Sequence, residues 1–365
     1  MKRICAVIVL LLAMCGCWDK TRVNNLQMID VIGLDLEKEN GFTKMSLAVS
    51  ALNDAHQGGG RPLKELISST GSNFSVAMEN SDFATAGELT FNQSRLFILS
   101  KSYASAKPTN EMNVLGRIPS FPLTSSVAVY DGHVSELLAR ERIQGKTIAN
   151  YLVVMLKEAE STYYIPKETV LRFILDKSDP FLDPALPLIR SEKDKIFMDG
   201  TALFREGRYT GVDLTMDQTK LALLMKNGKR TGVKIVAEID KVPVQIWVKD
   251  VKRDIRVITK GDQVTKVILP IQIRAVILDT KTSDKALSEK DLQSLEKELT
   301  AKINEQALET IRKMQKANCD FLALAREIHA YHYKQWIRMD WRKEYPRLSI
   351  RPDIKVRILN SGVML

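Results

Sequence analysis

"VTKVILPIQIRAVILDT", residues 264 to 280, carries an apolar side chain at every second position from Val267 to Ile277. Side chains alternate between the two faces of an extended strand, so this stretch has one dry face and one wetter face. "VKIVAEI" (233–239) and "VPVQIWVKDVKRDIRVIT" (242–259) alternate in the same way just before it. Three such spans in succession predict a meandering antiparallel sheet with one face covered. The cover is the segment that follows. There Leu292, Leu295, Leu299, Ile303, Ala307, Ile311 and Met314 recur at three- and four-residue steps and form one stripe of a helix over 288–317. Ser288 and Asp291 make a capping-box-like start, and at about 1.5 Å per residue the helix is roughly 45 Å long. Asp320 is placed to cap a second helix, Phe321 to Tyr333, before a last strand "IKVRIL" (354–359).

Upstream of Gly228 the pattern is different. "MIDVIGLDLE" (28–37) and "FTKMSLAVSA" (42–51) read as paired strands around the turn "KENG", and "NDAHQGGGRP" (53–62) as a surface loop. A helix from Phe74 to Phe83, a strand "RLFILS" (95–100) and helices in "TIANYLVVMLKEAES" (147–161) and "PKETVLRFILD" (166–176) follow. Strands alternating with helices predict a mixed α/β layer. Pro180, Pro184 and Pro187 in "DPFLDPALPLI" (179–189) forbid regular helix and favour extended or turning backbone, which reads as a hinge. Beyond it, "KIFMDGTALFREGRYTGVDLT" (195–215) reads as a hairpin with "REGR" at its tip, and "DQTKLALLMKN" (217–227) as a short helix. The fold class is therefore mixed α+β (α/β), with mostly antiparallel sheets covered by helices. The expected divisions are a leader at 1–16, an amino-terminal α/β unit at 17–190, a small middle unit at 191–230, and a carboxyl-terminal α/β unit at 231–365 carrying the long helix.

The leader decides the compartment. Lys2 and Arg3 precede an unbroken apolar run from Ile4 to Ala13, the layout of a signal peptide. Ten residues rise only about 15 Å as a helix, too short for a permanent span. The run ends in Met14-Cys15-Gly16-Cys17, similar to a bacterial lipoprotein signal, and Cys17 is the expected lipidation site because small residues precede it. A diacylglyceryl cysteine with its acyl (palmitate-like) chains anchors a protein without any span. Of the four cysteines, only Cys319 then remains as a free thiol, so the mature chain has no internal disulfide.

The formal charge of +10 falls to +8 without Lys2 and Arg3, a balance that suits a body held beside anionic headgroups. No zinc-finger spacing, RNP pattern or dense Lys/Arg stripe accompanies it, which argues against nucleic acid as a partner. There is no G-x-S-x-G elbow, H-E-x-x-H, Walker or dinucleotide motif either, so no catalytic residue, cofactor site or metal site is assigned. His329 and His332 lie one turn apart and could share a helix face. Asp179 and Asp183 have the look of a carboxylate pair, but they lie in the proline segment, where Asp favours turns.

"GCWD" (16–19), "SRLFILSKSYA" (94–104), "MDGTALFREGRYTGVDL" (198–214), "NCDFLALAREIHAYHYKQW" (318–336) and "VRILNSG" (356–362) span nearly the whole chain. Taken together, and in this order, they resemble one family, the Ger(x)C C-subunit lipoproteins of bacterial spore germinant receptors. Asn92-Gln93 stands where many members show Gly-His, and Ser100-Lys101 where they show Gly-Glu. The resemblance implies a three-domain arrangement and a non-enzymatic subunit, lipid-anchored at Cys17 on the outer face of the inner spore membrane. It also implies two integral-membrane partners, the A- and B-type subunits, and a role in sensing nutrients. The alternative class is a free-standing extracytoplasmic solute-binding lipoprotein, which would show a ligand cleft between two similar lobes.

Overall fold

Leu96–Ser100 is apolar at four successive positions and buried at all five, because both faces of its sheet are covered. Leu96 and Ile98 share a core with Val134, Leu137, Leu152 and Leu156 on one side. Phe97 and Leu99 share another with Phe74, Tyr103 and Phe121 on the other. The structure, a computed structural model, describes residues 26–37, 39–51, 64–106, 108–118, 121–176, 179–193, 195–226, 232–239, 241–279 and 288–359. The expected leader with Cys17, and the glycine loop at 53–62, lie outside the described residues.

The strands are β1 (Leu26–Leu36), β2 (Thr43–Ala51), β3 (Lys64–Gly71), β4 (Glu88–Thr90), β5 (Leu96–Ser100), β6 (Ser126–Tyr130), β7 (Arg142–Ile143), β8 (Lys146–Thr147), β9 (Ala185–Glu192), β10 (Lys195–Arg205), β11 (Arg208–Thr215), β12 (Lys234–Ile239), β13 (Val242–Arg253), β14 (Arg256–Lys260), β15 (Gln263–Asp279) and β16 (Ser349–Ile358). The helices are α1 (Phe74–Phe83), α2 (Lys101–Ala106), α3 (Pro108–Met112), α4 (Val134–Leu138), α5 (Ile148–Ser161), α6 (Val170–Asp176), α7 (Met216–Lys226), α8 (Glu289–Lys316), α9 (Leu324–Tyr331), α10 (Tyr333–Trp336) and α11 (Trp341–Glu344).

The first sheet has nine strands in the order β11-β10-β9-β6-β5-β1-β2-β3, with β4 beside β1. Its centre is parallel, β1 with β5, β5 with β6 and β6 with β9, because helical crossovers return the chain to the same end. Its two ends are antiparallel: the expected β1–β2 hairpin with β3 on one side, and β9–β10–β11 on the other. The proline segment thus differs from the hinge expected of it. Its second half is the inner strand β9, with Pro187 opposite Thr201 and the ladder to β6 starting only at Leu188. Residues 191–230 were expected to stand apart, yet the strands of their hairpin extend this same sheet, because β10 lies antiparallel along all of β9. Gly200 makes that pairing possible. The β9–β10 register shifts between Met198 and Gly200, the glycine has φ +136, and a Cβ there would collide with Leu214 O on β11.

The second sheet, in the order β12-β13-β15-β14 with β16 on the far side of β15, is the meander read from the alternation. Val267, Leu269, Ile271, Ile273, Ala275 and Ile277 of β15 are all buried. Pro270 sits where the facing strand changes from β13 to β14, and its carbonyl accepts from Asp254 N at 2.9 Å. Helix α8 packs on the buried face through Leu299, Ile303, Ala307, Ile311 and Met314, and Ser288 with Asp291 forms the full capping box. The same helix closes the edge of β16. Ile354 donates to Asn304 Oδ1 at 2.9 Å and accepts from Asn304 Nδ2 at 2.7 Å, while Val356 N donates to Thr300 Oγ1 at 3.1 Å and Ile358 N to Glu296 Oε1 at 2.6 Å. Four helical residues rise about 6 Å and two strand residues about 6.6 Å, so polar side chains spaced by four match backbone groups spaced by two. The second core also takes in Ala185, Leu203 and Leu214 of the first sheet, so the two sheets are joined by one apolar cluster. No helix among the described residues is long and apolar enough to cross a membrane.

Gly200→Ala should lower the unfolding free energy by about 2 kcal/mol or more, since the substitution combines a left-handed φ with a backbone collision. Urea denaturation of the purified protein measures the loss; a change below about 0.5 kcal/mol, the range of an ordinary surface substitution, would contradict this account of the bulge.

Candidate functional site

The segment 318–345 leaves α8 and wraps the proline stretch 179–184. Asp183, 1 % exposed, is the centre of this junction. Its carboxylate accepts from Arg342 Nη1 at 2.6 Å and Arg342 Nη2 at 2.8 Å, a two-point guanidinium pair, and from Asp320 N at 2.8 Å. Arg342 is held in turn: its carbonyl accepts from Asn318 Nδ2 at 2.8 Å, and its Nε lies 3.7 Å from Glu206. Tyr345 Oη donates to Cys319 O at 2.9 Å, and Phe204 N of β10 donates to Pro184 O at 3.1 Å. Residues from both sheets thus meet on a few buried polar groups.

Asp320 is a cap, as expected, although of a helix that starts later. Its two oxygens accept from Leu324 N at 3.0 Å and Ala325 N at 2.8 Å, and Ala323 turns the chain into α9 with φ +57. Burial pushes its carboxyl up to about 7, against the pull of those two backbone N–H groups, and the nearby Asp183 charge adds to the rise. Glu168, just before α6 and 3 % exposed, is likewise pushed up to about 7 by burial, with Arg172 and Lys226 pulling the other way. Cys319 is fully buried and its thiol is pushed well up, chiefly by burial and then by Asp183 and Asp320. It therefore stays protonated near neutral pH and is a packing group rather than a nucleophile.

The expected helix over 321–333 ends at Tyr331. His332, at φ −131 and ψ 47, breaks it before the short turn α10, so His329 and His332 do not share a helix face. His329 enters an aromatic stack, 4.3 Å from Phe181, 5.7 Å from Tyr333 and 5.8 Å from Trp336 between ring centroids. Trp336, Trp341 and Tyr345 continue the stack at 6.1 and 5.1 Å. Beside it lies a cleft of about 770 Å³ lined by Asp179, Glu206, His329, Tyr333, Trp336 and Arg342, among others. Asp179 and Asp183 are not a carboxylate pair: Asp179 accepts from Arg326 at 2.6 Å and from Phe181 N at 2.8 Å, and Asp183 is taken by Arg342. No group of three or more His, Cys, Asp or Glu side chains among the described residues is placed to hold a metal ion.

A second polar cluster crowns the carboxyl ends of the parallel strands. Lys101 Nζ lies 3.1 Å from Asp131 and 2.9 Å from Asp213, and Arg190 lies 3.2 Å from Asp131 and 2.9 Å from Asp199. Lys101 and Asp213 come from two of the motifs singled out in the sequence, and the pair fastens the start of α2 to β11. Apart from Arg190 and Asp199, neighbours on the β9–β10 hairpin, these partners are far apart in sequence, and periodicity carries no sign of them.

Comparisons with known proteins divide the chain between β9 and β10, within the first sheet. Residues 19–191 match the family described as "Spore germination protein N-terminal domain", and residues 199–362 match "Spore germination B3/ GerAC like, C-terminal". The chain is 23% identical over 368 residues to "Spore germination protein GerQC" of Bacillus cereus, covering 100% of this chain and 99% of that one. It is 22% identical over 396 residues to "Spore germination protein KC" of Bacillus subtilis strain 168, covering 100% and 97%. Among solved structures, the one titled "Crystal Structure of the GerBC protein" matches with a TM-score of 0.58 at 14% identity, over 90% of this chain and 97% of that one, which is a likeness of fold.

Two outcomes follow from the junction. Arg342→Ala leaves the Asp183 carboxylate buried without its counter-charge and should cost about 3 kcal/mol or more of stability; adding Asp183→Asn should recover part of that loss in a double-mutant cycle read by urea denaturation. The second concerns pH. Glu168 and Asp320 hold their protons to about pH 7 in the folded chain, above the ordinary carboxyl values of 4.5 and 3.8, so folding takes up protons in that window. Their contribution to stability is greatest below about pH 4, falls as pH rises toward 7, and is level above it. The melting temperature of Glu168→Gln should accordingly fall less than that of the wild type between pH 5 and pH 8; equal slopes would show that Glu168 is ionised throughout.

Proposed function

The chain belongs to the GerAC-like, or Ger(x)C, family of spore germination proteins, and from that membership we propose that it is the lipid-anchored, non-enzymatic C subunit of a nutrient germinant receptor. The observation that carries this reading is the match of both halves, in family order, onto a chain whose halves are clasped together through Asp183 and Arg342. In the proposed arrangement Cys17 bears the acyl chains and the body lies on the outer face of the inner spore membrane beside an A-type and a B-type integral-membrane subunit. Eight residues separate Cys17 from Leu26, the start of β1, and a chain of that length reaches at most about 30 Å. The body is therefore held close to the bilayer, where its positive balance is attracted to anionic headgroups within about a Debye length of 10 Å. Tethering also replaces a bimolecular search for the membrane subunits by a local one, which raises their effective concentration. A raised thiol at Cys319 and Asp carboxylates committed to arginines fit a binding and assembly role better than catalysis.

The anchor is tested by Cys17→Ala together with labelling by a fatty-acid analogue. The wild type should be labelled and sediment with membranes, and the variant should be neither labelled nor retained; labelling that persists in the variant would move the site or end the lipoprotein reading. The receptor role is tested by deletion. Loss of the gene in a strain without a second copy should abolish germination through one nutrient route and leave nutrient-independent germination intact. Normal response to every nutrient would overturn the assignment and favour a free-standing solute-binding lipoprotein.

A further inference from the structure

Away from the junction, a cavity of about 610 Å³ opens between the end of α4, the β7–β8 ribbon, the start of α5 and the β9–β10 turn. Arg140, Arg142 and Lys195 line it, with Gln144, Tyr151 and Phe197. No carboxylate is among the described residues lining it. Among those residues its cations are not drawn together by acidic partners, as the cations of the Lys101 cluster are. They converge on space.

Arg140 is the informative member. Its Nη2 donates to Ser191 Oγ at 3.3 Å, and Ser191 Oγ is in turn 2.6 Å from Tyr130 Oη. Its Nη1 is buried with no hydrogen-bond partner among the described residues. A guanidinium nitrogen removed from water and left without an acceptor is costly, and native proteins rarely keep one unless something else supplies the acceptor. The ribbon that carries Arg142 closes in a tight hairpin turn, with Gln144 and Gly145 at φ 51 and 74 as its two left-handed residues. Tyr151 donates to Ile196 O at 3.4 Å, which holds one aromatic wall, and Ile143, Ile196 and Phe197 are the aliphatic and aromatic remainder of the lining beside Gln144.

We propose that this cavity binds a small organic anion, its carboxylate or phosphate group held by Arg140 with Arg142 and Lys195 and its carbon skeleton lying on Tyr151 and Phe197. A planar guanidinium offers paired donors that match both kinds of oxyanion. The anionic group could belong to a soluble metabolite or to a phospholipid headgroup, and the two are separated by choice of probe. The proposal is independent of the receptor assignment, because it rests on this cavity alone.

The test uses the full-length, lipidated protein in a neutral detergent, with thermal shift and isothermal titration calorimetry at constant ionic strength set by KCl. The probes are citrate, inorganic pyrophosphate and dihexanoyl phosphatidylglycerol. At least one should give a saturable rise in melting temperature of about 2 °C or more over the KCl control. In Arg142→Ala/Lys195→Ala, a change at exposed positions that leaves the core intact, the same probe should bind at least about tenfold more weakly. Arg140→Lys, which keeps the charge and loses the fork, should weaken it as well. A response to citrate or pyrophosphate identifies a soluble anion as the ligand, and a response confined to the phospholipid identifies a headgroup. No rise above the KCl control with any probe, or equal affinity in the wild type and the double variant, overturns the site.

Discussion

The pairing of Asp183 with Arg342 is the constraint on which the arrangement of the chain depends. A carboxylate 1 % exposed is tolerable only with a counter-charge and a full set of donors, and this one has Arg342 twice and the backbone N–H of Asp320. The two partners are 159 residues apart in the chain. Asp183 ends the segment that becomes β9, and Arg342 belongs to α11 just before β16. Satisfying one buried charge therefore fixes the register between the first sheet and the second. It also places Asp320 so that its own carboxylate starts α9, which in turn brings His329 and Trp336 onto Phe181.

The apolar packing takes the same direction. Ala185, Leu203 and Leu214 of β9, β10 and β11 lie in the cluster that holds α8 and the second sheet together with Leu221, Leu224 and Met225 of α7, so that end of the first sheet is covered jointly by the helix that follows β11 and by the other half of the molecule. Leu186, Leu188, Ala202 and Phe204, one residue away on the same strands, face the opposite core with Phe173. Apolar surface removed from water contributes roughly 25 cal/mol per Å² to adhesion between the halves, while the polar clasp selects one way of making it. The free side of β16 obeys a related rule. An unpaired edge is a site for unwanted strand addition, and Asn304, Thr300 and Glu296 occupy its backbone groups.

What the sequence made legible is what local physics governs. The stripe on α8, the Ser288–Asp291 box and the alternation in β15 concern neighbours within a few residues, and each is found where the pattern placed it. The same holds for the β1–β2 hairpin and for the helix Phe74–Phe83. The misread parts depend on distant partners. Pro187 forbids helix, as expected, but whether the extended segment is a hinge or an inner strand is decided by β6 and β10, which lie elsewhere in the chain. The break at His332 has no proline or glycine to announce it; it follows from the packing of the aromatic rings on Phe181. "MDGTALF" carried a signal that periodicity alone missed, a glycine in a strand, which is the mark of a bulge or of close backbone approach, and Gly200 is both.

The candidate site was the least legible part, for a reason that extends to its role. Cys17 was named from a local motif, but the clasp, the Lys101 cluster and the Arg140 cavity each bring in a partner tens of positions away, and charge type alone does not pair them. A subunit that is held at a membrane by its amino terminus and must meet its partners in one orientation needs its two halves to behave as a single rigid body; otherwise the tether would raise the concentration of a flexible chain without raising that of the competent surface. The buried pair supplies that rigidity in a way apolar packing alone does not, because sliding one sheet over the other by a residue would preserve much of the apolar contact and yet strand a carboxylate in the core. Rigidity of the body is the requirement that the proposed tether would impose, and among the described residues the Asp183–Arg342 clasp meets it.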